Sequence, residues 1–275
     1  MNPVIVVTIA AVAACVGSFL NVCIWRLPRE ESIVWPGSHC VRCGRAIAWY
    51  DNIPIVSFAA LGGRCRHCRG AIAWRYPLVE LLAVVIALGF YATFGLTWPW
   101  VFYTALGLAL IVATFVDVSH RIIPDEITLP GIVIGLIASA LVPSLHQAAS
   151  PWLGLWRGVL GVLVGGGSLY LTGLLGDWLF KKESMGGGDV KLLAMAGALL
   201  GWQPVLLTFF LAPMLAIVPG LVQMTRKGDH TIPYGPFLSL GLLIVMLWGP
   251  WLLHVSHLDD TAAVFGAALG GLFRR

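Results

Sequence analysis

The feature that most constrains this chain is a series of long apolar runs that contain almost no charged side chains. Hydrophobic residues make up 59% of the 275 residues and charged residues only 11%, against about 25% charged residues in an ordinary globular protein. The mean hydropathy is +0.88. A soluble core of this size could not bury so many apolar side chains, whereas a lipid bilayer accommodates them. The composition therefore predicts an integral membrane protein.

Apolar segments that could cross a bilayer, which requires about 20 residues per helix, recur along the whole chain. The eight segments are residues 3–25, 78–96, 99–116, 127–145, 155–178, 190–201, 203–224 and 236–255. The sixth is short, so we expect it to be tilted, re-entrant or buried among its neighbours. A ninth half-span could occupy residues 261–273. The predicted fold class is an all-α polytopic membrane protein with about eight transmembrane helices.

The first apolar run is expected to stay in the membrane. It has no basic region before it, and it is too long for the apolar part of a cleavable signal peptide. Arg26 and Arg29 follow it directly, as expected of a retained span. An alternative for this helix alone is a signal anchor without a further role.

Charge placement predicts the topology. The polar segment 26–77 contains eight arginines and three acidic residues, so the positive-inside rule places it in the cytoplasm and the N-terminus outside. The other predicted inner loops, 117–126, 179–189 and 225–235, also carry basic residues, namely Arg121, Lys181, Lys182, Arg226 and Lys227. We expect three parts: a first transmembrane helix (1–25), a cytoplasmic loop domain (26–77) and a membrane-embedded domain (78–275).

Four of the six cysteines form two pairs in the polar segment. Cys40 and Cys43 make one C-x2-C pair, Cys65 and Cys68 make the other, and 21 residues separate the pairs. Two such pairs can complete a tetrahedral shell of four thiolates, which is typical of a structural Zn²⁺ site. Iron in the same geometry and two disulfides are alternatives, although a reducing cytoplasm disfavours disulfides. We predict a small cytoplasmic zinc-knuckle insertion.

Acidic residues are rare in this chain, and three aspartates lie at ends of the apolar segments. Asp117 ends the third segment, Asp125 precedes the fourth, and Asp189 follows three glycines at the start of the sixth. On the predicted topology all three face the cytoplasm. Two carboxyl groups that lie close together share one proton, and such a pair can activate water for amide hydrolysis. Helix capping and proton-coupled transport are alternative roles for these residues.

These motifs together resemble the type IV prepilin peptidases. The resemblance is carried by Gly17-Ser18-Phe19-Leu20-Asn21-Val22, Arg26-Leu27-Pro28, the two cysteine pairs, Trp49-Tyr50-Asp51-Asn52-Ile53-Pro54, Arg75-Tyr76-Pro77-Leu78-Val79-Glu80, Asp117, Ile123-Pro124-Asp125 and Met185-Gly186-Gly187-Gly188-Asp189-Val190-Lys191. It covers nearly the whole chain. It implies an intramembrane-type aspartic endopeptidase whose catalytic aspartates are Asp117 and Asp189, with Asp125 as a motif acid outside the dyad.

The resemblance also implies the substrate and a second activity. Members of the family cut the basic leader of type IV prepilins or type II secretion pseudopilins on the cytoplasmic side of the bacterial inner membrane, after a glycine. They then N-methylate the new N-terminus with S-adenosylmethionine. The expected partners are therefore the prepilin and membrane lipid, and no nucleic acid.

The residues that bind S-adenosylmethionine are not identified by the sequence, which lacks a glycine-rich nucleotide loop after a strand. Such a site would have to be built from the polar loop and the nearby helix ends. Asn21, Asp51 and Glu80 are polar residues near that face. Their alternative roles are helix capping and binding of the arginines of the loop.

A basic leader and a basic loop repel each other, so acidic residues are expected to recognise the leader. The candidates are Glu30, Glu31, Asp125 and Glu126. Two other classes of function remain as alternatives to a peptidase: a proton-coupled transporter whose gate carries the aspartates, and a membrane scaffold that binds a partner through the zinc loop.

Overall fold

The structure, a computed structural model, describes residues 2–181, 184–227 and 233–256. Over these ranges the chain forms nine α-helices and no strand, with two isolated antiparallel bridges in the polar segment. The helices are α1 (Pro3–Arg26), α2 (Val56–Ala60), α3 (Arg75–Phe94), α4 (Trp98–His120), α5 (Asp125–Leu141), α6 (Pro151–Phe180), α7 (Gly187–Leu200), α8 (Trp202–Lys227) and α9 (Gly235–Val255).

The predicted fold class is confirmed: the chain is an all-α, multi-pass membrane protein, and each of the eight apolar segments overlaps one helix. Among the described residues, five helices are long and apolar enough to cross a bilayer, namely α1, α3, α4, α6 and α8. α5 has 17 residues and α7 has 14, so the number of eight spans stays a prediction. The ninth half-span at 261–273 lies outside the described residues.

The chain divides into two compact units, Met1–Ile127 and Thr128–Arg275. The first unit contains α1 to α4 and the polar segment, and the second contains most of α5 together with α6 to α9. Asp117 belongs to the first unit and Asp189 to the second. The predicted three-part division at residues 25 and 77 stays a prediction.

In the first unit, α1, α3 and α4 pack around a shared apolar core. Its buried members are Leu20, Cys23, Ile24, Val79, Ala83, Ile111, Val112 and Val116. A Cβ atom added at Gly17 of α1 would lie 2.7 Å from the Cα atom of Glu80 on α3. Because a Cβ atom cannot come that close to backbone, glycine at position 17 allows the two helices to touch, as small residues do in membrane proteins.

In the second unit, α6 and α7 are in direct backbone contact through glycines. A Cβ atom added at Gly161 of α6 would overlap the carbonyl group of Gly197 on α7, and one added at Gly197 would overlap the carbonyl of Gly161. Gly165 makes a similar approach to the backbone of Leu193. Helices in lipid associate largely through close packing, so this glycine seam is what joins α7 to α6.

A buried polar cluster links three elements of the second unit. The hydroxyl oxygen of Ser139 on α5 lies 2.6 Å from the Ala198 carbonyl oxygen on α7 and 2.7 Å from Nε2 of His146, in the turn after α5. Burial lowers the pKa of His146 to about 4. The imidazole is therefore neutral at physiological pH and serves as a hydrogen-bonding partner rather than as a charge.

We expect Gly161→Ala to destabilise the protein, because the added methyl group forces α6 and α7 apart. Overpacking of this kind costs roughly 1–3 kcal/mol, which should lower the midpoint of thermal unfolding in detergent. Gly167→Ala is the matched control on the same helix, since a Cβ atom at position 167 meets no atom of the described residues within 4 Å. Equal unfolding midpoints for the two variants would show that the seam is not closely packed.

Candidate functional site

The two cysteine pairs form turns of the same local structure. In the first, the Cys40 amide donates to Arg45 O at 2.9 Å and the Gly44 amide donates to Cys40 O at 2.8 Å. The second repeats this pattern, with the Cys65 amide donating to Gly70 O at 2.9 Å and the Arg69 amide donating to Cys65 O at 3.0 Å. The two turns therefore share one backbone hydrogen-bond pattern.

Glycine serves a different purpose in each turn. Gly44 has φ +69°, a left-handed conformation that glycine adopts without strain, and Arg69 at the matching position also has positive φ, 56°. Gly70 instead provides room, since an added Cβ atom would lie 2.6 Å from Cδ of Arg42 and 3.3 Å from Sγ of Cys68. The second turn therefore carries a strained Arg69 followed by a tightly packed glycine.

The four sulfur atoms of these turns form one cluster. The Sγ atoms of Cys40, Cys43, Cys65 and Cys68 all lie within 4.8 Å of one another, and the Cys40 and Cys68 sulfurs are 3.9 Å apart. A tetrahedral ion with bonds of about 2.3 Å has ligand atoms about 3.8 Å apart. None of the six cysteines forms a disulfide. The cluster could therefore hold a tetrahedral metal ion.

Hydrogen bonding prepares one of these sulfurs to bind a cation. The backbone amides of Cys68 and His67 donate to the Cys65 sulfur and lower the pKa of its thiol to about 7, whereas burial and hydrogen bonds with the other three sulfurs raise the pKa of the Cys68 thiol to about 11. Metal ions bind the thiolate form, so a lowered pKa reduces the cost of losing the proton on binding.

A bidentate ion pair fastens the second turn to the segment between the two turns. Nε and Nη2 of Arg66 donate to the two carboxylate oxygens of Asp51 at 2.7 and 2.6 Å. The hydrogen bond with the guanidinium group of Arg66 lowers the pKa of Asp51. The same guanidinium lies 5.5 Å from the ring centroid of Tyr50, within the range of a cation–π contact. Asp51 thus binds an arginine of the loop.

Beside the sulfur cluster, the first unit contains a cavity of about 450 Å³. Its walls come from the last turns of α1, the two cysteine turns and the first turns of α3. Asn21, Asp51 and Glu80, which the sequence suggested as polar residues near one face, all line it. The cavity is within the volume range of sites for small molecules, about 300–1,000 Å³.

Glu80 connects α3 to the polar segment at this cavity. Its Oε2 atom accepts a hydrogen bond from the Ile55 amide at 2.6 Å and the carboxyl group also accepts one from the Ser18 hydroxyl. Ile55 has φ 62° and ψ −49°, which is a rare and strained conformation for a β-branched residue. The bond to Glu80 helps to hold the backbone in that conformation.

Asn21 lines the same cavity as Glu80 and is 3% exposed. Its Nδ2 atom donates to the carbonyl oxygens of Tyr76 and Gly17 at 3.1 and 3.3 Å. Its Oδ1 atom is buried and has no hydrogen-bond partner among the described residues. A buried carbonyl oxygen in this state can accept a hydrogen bond from a molecule in the cavity.

Asp117 lies in the last turn of α4 in the first unit and is 7% exposed. The backbone carbonyl oxygen of Asp117 accepts from the amide of Arg121, whose φ of 58° ends the helix. The preceding residue, Val116, is in the apolar core. Packing of Val116 therefore fixes the direction in which the side chain of Asp117 projects from α4.

Asp189 lies in the first turn of α7 in the second unit and is partly exposed. Helix α7 begins at Gly187, directly after Gly186, whose added Cβ atom would lie 3.2 Å from Oδ2 of Asp189. Tyr234 directly precedes α9 and interacts electrostatically with Asp189. Burial, together with the negative charge of Asp189, raises the pKa of Tyr234 to about 12. Tyr234 belongs to no motif that predicts a functional role; its sequence signal is limited to being a polar aromatic residue just before the last predicted span.

The structure thus brings the four predicted cysteines together in one cluster. The two predicted catalytic aspartates lie in different units, and their pairing stays a prediction. Asp125 and Glu126 are exposed in the first turn of α5, and Glu30 and Glu31 are exposed after α1.

Comparison with known proteins assigns the chain to a family. The family model described as "Bacterial Peptidase A24 N-terminal domain" matches residues 11–94, and "Type IV leader peptidase family" matches residues 104–221. A protein named prepilin leader peptidase/N-methyltransferase, from Pseudomonas aeruginosa, is 37% identical over 267 residues, which cover 85% of this chain and 87% of that protein. The chain belongs to the type IV leader peptidase family.

Further members of this family have similar coverage. Proteins of the same name from Pseudomonas putida and Stutzerimonas stutzeri are 33% and 36% identical, over 90% of this chain and 93% and 92% of their own lengths. No solved structure matches the chain. The N-terminal family region includes the sulfur cluster and the cavity, and the second region includes Asp117 and Asp189.

We expect the purified protein to carry one metal ion per chain and Cys40→Ser to lose it, because three sulfurs cannot complete the tetrahedral shell. Elemental analysis of the protein after dialysis measures the content. Cys15→Ser is the control, since Cys15 is exposed on α1 and outside the cluster. A metal content that is the same in both variants would rule the cluster out as the binding site.

Proposed function

We propose that this protein is a prepilin leader peptidase and N-methyltransferase of the bacterial inner membrane, with its catalytic groups on the cytoplasmic side. The observation that carries the proposal is the match to proteins of that name over 85–90% of the chain. It is supported by the position of Asp117 and Asp189 at helix ends, both within the matched peptidase region.

The proposed cleavage chemistry is hydrolysis by an aspartyl dyad. Asp117 and Asp189 would share one proton, since two adjacent carboxyl groups do not both ionise readily. The ionised member removes a proton from water as its oxygen attacks the scissile carbonyl carbon, and the protonated member donates to the departing amine nitrogen. The amide bond breaks without a covalent intermediate on the enzyme.

Helix position favours different roles for the two aspartates. The N-terminal end of a helix carries a partial positive charge and the C-terminal end a partial negative charge. Asp189 in the first turn of α7 is therefore the better site for the negative charge, and Asp117 in the last turn of α4 the better site for the neutral carboxyl group. We assign the base to Asp189 and the acid to Asp117.

The proposed role of the sulfur cluster is structural binding of Zn²⁺. Four cysteine sulfurs complete the coordination of the ion and leave no position for substrate, as in structural rather than catalytic zinc sites. The ion would fix the two cysteine turns that form walls of the cavity.

The second proposed activity is methylation of the amine that cleavage releases. S-adenosylmethionine supplies the methyl group as an electrophile on a sulfonium sulfur. The described part of the chain contains no strand that could form a Rossmann-type nucleotide site. The cavity of the first unit, with its mixed polar and apolar walls, fits such a donor in volume and in the polar atoms that it presents.

We expect Asp117→Asn and Asp189→Asn each to reduce leader cleavage by at least about 10²- to 10⁴-fold, the usual contribution of an acid or base. The loss should be larger for Asp189→Asn, because asparagine at position 117 still offers a neutral hydrogen-bond donor. A gel assay of a co-reconstituted prepilin measures the rate.

Asp177→Asn is the control for this experiment, since Asp177 on α6 already accepts hydrogen bonds from the amide and hydroxyl of Ser184 at 2.7 and 2.8 Å. It should cut the leader at a rate within tenfold of the unaltered protein. An unaltered protein that leaves the prepilin intact would favour a transporter or scaffold.

We also propose that acidic residues near the start of α5 recognise the basic leader. The variant Asp125→Lys/Glu126→Lys should raise KM for prepilin about two- to tenfold, the effect expected of exposed ion pairs. The matched control is a prepilin whose leader lysines and arginines are replaced by glutamine, for which the two enzymes should have equal KM. An unchanged KM for the basic leader would contradict this role.

A further inference from the structure

The cavity of the first unit combines features that single it out within the described part of the chain. Its lining combines apolar side chains, including Val22, Phe58 and Leu61, with charged and amide groups. We propose that it is the S-adenosylmethionine site, and that Asn21, Arg75 and Glu80 are its binding residues. This inference rests on the proposed methyltransferase function and assigns residues to it.

The first observation is the unsatisfied amide oxygen of Asn21. Both neighbours of its Nδ2 atom are backbone carbonyls, which fixes the orientation of the amide and directs Oδ1 away from them. The atom is buried and no described residue bonds to it, a state that proteins seldom tolerate unless a ligand or water provides a donor. An amino or hydroxyl group of the ligand is a suitable donor.

The second observation is that the cavity presents charges of both signs from α3. Glu80 is 7% exposed and uses two of its roughly four acceptor positions on Ile55 and Ser18. Arg75 lies one turn earlier and has a buried Nε atom without a hydrogen-bond partner among the described residues. A carboxyl group and a guanidinium that line the same cavity complement the methionine half of the donor, which carries an ammonium, a sulfonium and a carboxylate.

The third observation is that neighbouring groups hold the side chains of Arg75 and Glu80 in place. The guanidinium of Arg75 lies 6.0 Å from the ring centroid of Trp25 and 5.5 Å from that of Tyr76, so aromatic rings keep it beside the cavity. The Ile55 amide donates a hydrogen bond to the carboxyl group of Glu80 and holds it in place. Because α1, α3 and the polar segment each supply a wall, the binding residues are prearranged without a nucleotide-binding fold.

Binding measurements on the full-length protein, purified with its metal, test this assignment without relying on methylation. Equilibrium dialysis would use three radiolabelled ligands, S-adenosylmethionine, S-adenosylhomocysteine and 5′-methylthioadenosine, with and without cleaved pilin. The first two carry the charged amino-acid half and the third lacks it. A general disturbance of the fold would lower the affinity for all three ligands alike. Loss of one charged contact would lower the affinity only for the two ligands that carry the amino-acid half.

We expect Glu80→Gln to lower the affinity for S-adenosylmethionine and S-adenosylhomocysteine roughly tenfold to a hundredfold, as for a lost hydrogen bond to a charged group. The affinity for 5′-methylthioadenosine should not change. Asn21→Leu should lower the affinity for S-adenosylmethionine about tenfold. The control is Thr104→Val, which removes a buried polar atom of α4 outside the cavity and should leave all three affinities unchanged.

The leader-cleavage assay on the same samples separates failure of this inference from failure of the proposed function. Protein that cuts prepilin but binds none of the three ligands, with or without cleaved pilin, would overturn the assignment and leave the peptidase proposal standing. Unaltered affinities in both Glu80→Gln and Asn21→Leu would also overturn it. Protein that does not cut prepilin would instead contradict the proposed function itself.

Discussion

The polar segment between α1 and α3 has no apolar core, so its structure depends on a few polar interactions. Among residues 27–74, only Gly70 is buried. A segment of this length that buries so little apolar surface does not fold by hydrophobic burial alone, and small domains of this kind usually need a metal or disulfides. The four-sulfur cluster is the interaction that can close this segment, because it joins turns that are far apart in sequence.

Two further contacts connect the sulfur cluster to the membrane helices. The Asp51–Arg66 ion pair joins the second cysteine turn to the segment that leads to Ile55, and the Ile55 amide then binds Glu80 on α3. The strained backbone of Ile55 persists because contacts on both sides determine it. Residues of this connection also line the cavity, so we expect metal binding to influence its shape.

The sequence was sufficient to predict the positions of the sulfur cluster and of every described helix except the short α2, but not the contacts between helices. Apolar runs predict helices because lipid cannot satisfy backbone polar groups, and paired cysteines predict a cluster because the ligand spacing is local. The contact of Gly161 with Gly197 depends on which faces of α6 and α7 meet, which no short motif records. The placement of Asn21 and Glu80 in one cavity lining, and the electrostatic effect of Asp189 on Tyr234, likewise depend on tertiary packing.

The apolar core of the first unit positions residues for both proposed reactions. Asn21, Glu80 and Asp117 each follow a core residue directly, namely Leu20, Val79 and Val116, and these three belong to one cluster. Neighbouring side chains on a helix point in directions that are fixed relative to one another, so packing of the core residue also aims the polar one. Helix packing in lipid can thus hold Asp117 in place without the metal, whereas the cavity beside Asn21 and Glu80 also needs the polar segment. Loss of the metal should therefore reduce the rate of methyl transfer more than the rate of cleavage.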